Sequence, residues 1–191
     1  EEVLEALAVK SDGRYLDATF GRGGHAAAIL EQVGSAGVLL VVDRDPVAID
    51  AARAQYGKDA RVRIIRGNFA DMQALTAHAG FEGRFDGILM DLGVSSPQLD
   101  DPDRGFSFRG DGPLDMRMDP TQGVSAAEWL STVDERTLAD VIRRYGEERH
   151  ARRVARAIIR ARTEAPIERT ARLAEIVAAA VPGRGEPGKH P

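Results

Sequence analysis

The chain has 191 residues, 43% of them apolar and 29% charged, and its net charge at pH 7 is −4. This length suits one substantial domain, or a domain with a small insert, of ordinary globular composition. The absence of cysteine excludes disulfides, thiolate zinc sites and a cysteine nucleophile within these residues. No apolar run approaches the roughly 20 residues that span a bilayer, so we expect a cytoplasmic protein without a membrane partner.

The first part of the chain alternates apolar runs with helical patterns. An apolar helical pattern at Val3, Leu4 and Leu7 comes first. The elements predicted after it are strands over residues 14–19, 37–42, 62–65 and 85–90 and helices over residues 26–33, 46–56 and 72–78. Strands that alternate with helices indicate right-handed crossovers and a parallel α/β sheet.

Residues 93–124 interrupt this alternation. They are rich in Gly, Pro, Asp and Ser and have little apolar periodicity. We interpret them as an active-site loop or lid, and a disordered linker is the alternative.

From Ser125 the pattern is entirely helical. Ser125 and Glu128 form a candidate capping box, and further helices are predicted over residues 134–145, 147–162 and 167–181. We expect a sheet domain over residues 1–105, an inserted small all-helical domain over 125–183, and the start of a return to the sheet domain over 184–191.

Four predicted strands end in polar or glycine residues. These ends are Asp17 with the turn Gly21–His25, Asp43, Asn68 with Phe69, and Asp91. Because ligands of open parallel sheets bind at the carboxyl ends of the strands, we expect these residues to form one site.

The glycine turn fits two cofactors. Asp43 follows Gly21 by 22 residues, a spacing that suits a carboxylate accepting hydrogen bonds from ribose hydroxyls. The glycine spacing also matches the loose dinucleotide fingerprint, so an NAD-dependent oxidoreductase stays open. Asp17 favours S-adenosylmethionine instead, because a carboxylate repels a pyrophosphate and attracts an ammonium or a sulfonium. Phe69 offers a stacking face for adenine, with core packing as the alternative.

The stretch from Asp91 to Gln98 offers hydrogen-bond acceptors after the fourth strand. A carboxylate and an amide there suit the orientation of an exocyclic amine for methyl transfer, although ordering of the loop is the alternative. Methylation at C5 of a pyrimidine usually needs a cysteine, which this chain lacks, so a nitrogen or oxygen acceptor is favoured. The four dispersed histidines predict no metal site.

The helix predicted over residues 147–162 displays a row of arginines. Its members are Arg149, Arg152, Arg153, Arg156 and Arg160, which step by three and four residues and so share one face. Arginine binds phosphate bidentately, so the row predicts RNA binding. An ordinary solvated face is the alternative.

Several motifs resemble those of the bacterial RsmH (MraW) family. The similar segments are Asp17–His25, Asp86–Gln98, Arg104–Phe108, Gly112–Met118, Tyr145–Glu148 and Gly188–Pro191. The resemblance implies a class I methyltransferase core, Rossmann-like, with an inserted helical domain and its last strands beyond Pro191. It also implies S-adenosylmethionine as cofactor and the exocyclic N4 of one cytidine in 16S ribosomal RNA of the small subunit as acceptor.

The resemblance also implies which residues of this chain contact the cofactor. By motif they are Gly23, Gly24, His25, Asp43, Phe69, Asp91 and Gln98. Asp91 is in addition the candidate catalytic residue that orients the amine. A homodimer stays open, and a non-catalytic RNA-binding assembly factor that keeps the cofactor fold is a further alternative.

Overall fold

The computed structural model describes residues 2–81 and 84–181. The chain divides into two compact units, Glu1–Ser95 and Ser96–Pro191. The predicted return over 184–191 and the motif Gly188–Pro191 lie outside the described residues. No helix within the described ranges is long and apolar enough to cross a membrane.

The first unit is a four-stranded parallel sheet with helices on both faces, which confirms the α/β prediction. The strand order is β3-β2-β1-β4, and every neighbouring pair is parallel. Its elements are α1 (Glu2–Leu7), β1 (Arg14–Asp17), α2 (Gly24–Gln32), β2 (Val38–Asp43), α3 (Pro46–Tyr56), β3 (Val62–Arg66), α4 (Met72–His78) and β4 (Gly87–Leu89).

Burial on both faces explains the continuous apolar run of β2. Leu39 and Val41 pack in one cluster with Ile29 of α2. Leu40 and Val42 point to the opposite face and belong to a second cluster. The alternation of side chains along the strand thus places every second residue in each of two cores, as expected for a covered parallel sheet.

β4 is shorter than the predicted strand over residues 85–90. In the sheet of the described residues it is an edge strand that pairs only with β1. Asp86, just before it, accepts hydrogen bonds from the Arg14 amide and from Lys10 Nζ, both at 3.0 Å. The Asp86 amide also donates to the Arg14 carbonyl at 2.8 Å, so the backbone and the side chain of this residue together hold the start of β4 against β1.

The second unit is helical. Its helices are α5 (Ser96–Asp100), α6 (Ala126–Thr132), α7 (Glu135–Gly146), α8 (Ala151–Glu164) and α9 (Thr170–Ala180). α8 packs against both α7 and α9. The capping box predicted at the start of α6 is present, with Ser125 accepting from the Glu128 amide and Glu128 accepting from the Ser125 amide.

The segment between α5 and α6 is ordered, so the disordered-linker alternative is wrong. The Leu114 amide donates to the Glu168 carbonyl at 2.8 Å, and the Gly112 amide donates to Thr170 Oγ1 at 3.0 Å. These bonds tie the segment to the start of α9, and residues 96–105 accordingly cluster with the helical unit. That the helical unit is inserted into a longer sheet domain stays a prediction.

α8 begins at Ala151, so the helix predicted from residue 147 is wrong over its first four residues. Glu147 has a φ of 51°, a left-handed conformation that ends α7. The Glu148 carboxylate then accepts from the His150 amide at 2.6 Å. Arg149 therefore lies in the turn before α8, outside the helical row predicted for it.

Arg162 caps the carboxyl end of α6. Its Nη1 donates to the carbonyls of Leu130 at 2.6 Å and Val133 at 2.7 Å, which the helix leaves without partners. We expect Arg162→Met to lower the free energy of unfolding by about 2 kcal/mol, because hydrogen bonds from a charged donor are lost. Urea unfolding measures this, and Arg152→Met, on the exposed face of α8, is the matched control. Equal losses in both variants would contradict the capping account.

Candidate active site

The strand order creates a topological switch point between β1 and β4. The chain proceeds outward from β1 through β2 to β3, and β4 then lies on the other side of β1. Ligands of open α/β sheets bind outside the carboxyl ends of the strands at such a point. The two strand ends are joined here, because the Asp91 amide donates to Thr19 Oγ1 at 2.7 Å and the Ala18 amide donates to the Leu89 carbonyl at 2.9 Å.

The turn after β1 depends on two glycines with left-handed backbone. Gly21 has a φ of 54° and Gly23 a φ of 80°. Gly23 is the N-cap of α2 and, having no side chain, offers no side-chain acceptor to the first amides of the helix. Amides at the start of a helix, together with the helix dipole, favour a negatively charged group.

Asp43 holds the glycine turn in place. Its Oδ2 accepts from the Gly21 amide and its Oδ1 accepts from the Asp45 amide, both at 2.9 Å. A carboxylate oxygen has more than one lone pair, so both oxygens keep capacity to accept a further hydrogen bond. Asp43 therefore orders the turn in addition to the ligand contact that its position predicts.

Asp17 is the most unusual group at this edge. Its side chain is fully buried, and although Oδ1 accepts from the Thr19 amide at 3.1 Å, Oδ2 has no partner among the described residues. The pKa of Asp17 is raised to about 6, chiefly by burial and to a smaller extent by the charges of Asp43 and Asp91, while the hydrogen bond from the Thr19 amide and the nearby His25 act to lower it. A buried carboxylate oxygen without a donor is costly, and a donor or a positive charge placed against Oδ2 would offset this cost.

The remaining candidates of the first unit lie in the segments that follow its strands. His25 is half-buried in the first turn of α2. Phe69 is 37% exposed and begins a short 3₁₀ turn after β3, which the Asn68 side chain caps by accepting from the Ala70 amide. The Asp91 carboxylate is exposed and makes no hydrogen bond or ion pair within the described residues. Gly24 is exposed as well.

The other candidates belong to the second unit. Gln98 is buried in α5, with only 7% of its surface exposed. Arg152, Arg153, Arg156 and Arg160 are exposed on α8, opposite the buried Val154 and Ile158. Within the residues that the structure describes, no group of three or more histidine or acidic side chains is placed to hold a metal ion.

Comparison with known proteins identifies the family. The model of the MraW methylase family matches residues 1–191. The chain belongs to the MraW methylase family.

Curated relatives bear the name ribosomal RNA small subunit methyltransferase H. The chain is 56% identical to that of Thioalkalivibrio sulfidiphilus over 191 residues, 56% identical to that of Xanthomonas euvesicatoria over 190, and 54% identical to that of Pseudoalteromonas atlantica over 191. All of this chain is covered in each case, against 60%, 55% and 61% of the respective relative. The chain thus spans less than two thirds of the length of these proteins.

Membership of the MraW methylase family confirms the resemblance found in the motifs. With the parallel sheet and its switch point, it identifies the first unit as a Rossmann-like methyltransferase core. Sequence reasoning missed Thr19, whose hydroxyl links the ends of β1 and β4. No pattern marks this residue, because a hydroxyl that bonds to a backbone amide 72 positions away leaves no local signal.

Proposed function

We propose that the full-length protein transfers a methyl group from S-adenosylmethionine to the exocyclic N4 of a cytidine in small-subunit ribosomal RNA. The observation that carries the cofactor assignment is the buried, unpartnered Oδ2 of Asp17. Family membership and the names of the relatives support the methyl acceptor.

The carboxyl ends of the strands offer one group for the ammonium and one for the carboxylate of the amino-acid moiety of the cofactor. Asp17 would accept from the ammonium of the cofactor, while the first amides of α2 would donate to its carboxylate. His25 lowers the pKa of Asp17, which supports the nearness of this carboxylate to the first turn of α2. Asp43 would accept from the ribose hydroxyls, with Gly23 and Gly24 lining the turn.

An NAD-dependent oxidoreductase is the less favoured reading of the same turn. A pyrophosphate would bring negative charge towards a cluster that already contains Asp17, Asp43 and Asp91. We therefore expect isothermal titration calorimetry on the full-length protein to detect S-adenosylmethionine and not NAD. Binding of NAD alone would overturn the cofactor assignment.

The chain would act on the reaction chiefly by positioning. When bound, the cofactor supplies a methyl carbon on a cationic sulfur, and the C–S electron pair leaves with sulfur as the N–C bond forms. The free Asp91 carboxylate would accept from the amine N–H and so hold the nitrogen lone pair towards the methyl carbon. The amine nitrogen loses one proton as the N–C bond forms, and the Asp91 carboxylate would accept this proton and pass it to solvent. Gln98 stays a predicted contact.

Phe69 provides a test of the adenine site. An exposed aromatic ring after β3 suits stacking on a base, which contributes about 1–3 kcal/mol when measured by alanine substitution. We expect Phe69→Ala to weaken S-adenosylmethionine binding about tenfold in calorimetry and Phe69→Leu to restore little of it. If Phe69→Leu binds as the wild type does, Phe69 serves packing alone.

A non-catalytic assembly factor would keep the fold and bind RNA without modifying it. Incorporation of a labelled methyl group from S-adenosylmethionine into small-subunit RNA separates the two functions. We expect incorporation with the full-length protein and its loss in Asp91→Ala. Incorporation that persists in Asp91→Ala would remove Asp91 from the reaction, and no incorporation by the wild type would favour the assembly factor.

A further inference from the structure

The groove between α8 and α9 carries a surplus of positive charge. Four arginines line it, against two carboxylates, those of Glu164 and Glu175, and its volume is about 600 Å³. The arginines are Arg153, Arg156 and Arg160 of α8 and Arg172 of α9. Between them lie small or apolar side chains, chiefly alanines, which leave the bottom of the groove open to a close-lying chain.

These arginines are held only loosely by their neighbours. Arg156 Nε lies 3.6 Å from Glu135 Oε1, and Arg160 Nε lies 3.8 Å from Glu164 Oε1. Both guanidinium groups belong to side chains that are at least 74% exposed, where ion pairs contribute little. Arg172 Nη1 lies 3.4 Å from Glu175 Oε2 on its own helix, and Arg153 forms no ion pair within the part of the chain that the structure describes.

Other arginines of the chain are used differently. Arg117 pairs with Asp115 at 2.6 Å, and Arg162 caps α6 through two short bonds to carbonyls. Those side chains stabilise the fold through short bonds, whereas the ion pairs of the groove arginines among the described residues are exposed and 3.4 Å or longer. Their long, exposed ion pairs are readily exchanged for contacts with another anion.

The spacing of the row suits an extended anion rather than a single small one. Arg153, Arg156 and Arg160 follow one another by three and four residues, hence about 4.5 and 6 Å along the helix axis. Arg172 faces them from α9. Guanidinium groups bind phosphate bidentately, and a polymer backbone places phosphates in series.

We propose that the α8–α9 groove binds the phosphodiester backbone of the RNA substrate through Arg153, Arg156, Arg160 and Arg172. The identity of the polyanion rests on the proposed function. The groove differs from the row seen in the sequence, because Arg172 joins it while Arg149 and Arg152 do not line it.

The test compares two triple variants of the full-length protein with equal loss of charge. The groove variant is Arg156→Gln, Arg160→Gln and Arg172→Gln. The control is Arg136→Gln, Arg143→Gln and Arg144→Gln, all exposed on α7. Circular dichroism melting checks the fold of each, and calorimetry checks that S-adenosylmethionine still binds.

We expect the groove variant to bind small-subunit RNA about 100-fold more weakly at 0.1 M salt, with the slope of log K against log salt reduced by about 2. The control should lose much less affinity. Equal losses in the two variants, or none in the groove variant, would overturn the proposal while leaving the methyltransferase assignment intact. A wild type that neither binds nor methylates RNA would overturn both. If the groove variant loses binding to assembled subunits but not to free RNA, the groove binds an acidic protein of the subunit and the proposal is wrong.

Discussion

Replacing Asp17 with Asn is expected to weaken S-adenosylmethionine binding at least about 100-fold while the protein stays folded. The substitution keeps the shape and the Oδ1 that accepts from the Thr19 amide, and it removes the charge that would pair with the ammonium. Breaking one side of a buried charge pair costs about 3–5 kcal/mol. Calorimetry measures the loss.

Asp45→Asn is the matched control for this variant. Asp45 is also a buried carboxylate of the first unit, and its side chain caps α3 by accepting from the Val47 amide, which asparagine also does. We expect near wild-type cofactor affinity. If both substitutions weaken binding alike, the effect would come from general loss of negative charge and not from Asp17 contacting the ligand.

The same buried carboxylate predicts a pH dependence without ligand. The folded protein raises the pKa of Asp17 from 3.8 to about 6, so it holds this proton more tightly than the unfolded chain does. The stabilising contribution of the protonated group is therefore present below about pH 4 and lost as the pH rises through about 6. The difference between the two pKa values corresponds to a total change of about 3 kcal/mol in the free energy of unfolding.

Urea unfolding at several pH values isolates this contribution. The free energy of unfolding of the wild type minus that of Asp17→Asn should fall by about 2 kcal/mol between pH 4 and pH 7, most of the full difference. Cofactor affinity should move in the opposite direction and fall about tenfold from pH 7 to pH 5, because protonation removes the charge. A difference that does not vary with pH would contradict an ionised, unpartnered Asp17.

Alanine substitutions at the adjacent Gly23 and Gly24 are expected to affect different properties, the first the stability of the fold and the second the affinity for the cofactor. At Gly23 a Cβ would lie 2.6 Å from Phe20 Cζ, and the φ of 80° is unfavourable for alanine. Phe20 is buried and packs edge-on against Tyr56, so its ring has no room to move. We expect Gly23→Ala to lower the free energy of unfolding by about 2 kcal/mol or more.

At Gly24 a Cβ would meet no atom within 4 Å. Gly24 is the first residue of α2, where alanine is favourable, so Gly24→Ala should leave stability unchanged or raise it by about 0.5 kcal/mol. If the cofactor lies against this backbone, affinity should nevertheless fall at least tenfold in calorimetry. Full affinity in Gly24→Ala would remove Gly24 from the cofactor site.

The sheet was predictable because a strand that is buried on both faces needs apolar residues at every position. The run from Gly37 to Val42 is apolar at every position since β2 is covered on both faces. Asp45 and Pro46 mark the start of α3 by their own chemistry, the first capping the helix and the second fitting its first turn. Once the strands are predicted, the positions of their carboxyl ends are known. Most of the candidate site residues lie at those ends and were therefore predictable as well.

What could not be predicted depends on contacts distant in sequence. The order of the segment between α5 and α6 arises from bonds to the start of α9, nearly 60 positions later. α8 begins later than predicted because Glu147 adopts a left-handed backbone conformation. Glutamate rarely adopts this conformation, and no glycine or asparagine at this position indicates it in the sequence. Asp43 was predicted as a ligand contact, and its hydrogen bond to the Gly21 amide is visible only in three dimensions.

Nucleoside mass analysis of small-subunit ribosomal RNA tests the central claim most directly. The RNA is incubated with the full-length protein and S-adenosylmethionine that carries an isotopically labelled methyl group, then digested to nucleosides. The proposed function predicts the label in N4-methylcytidine, and its absence when Asp17→Asn replaces the wild type. Label in C5-methylcytidine or in a ribose-methylated nucleoside, or no label at all, would contradict it.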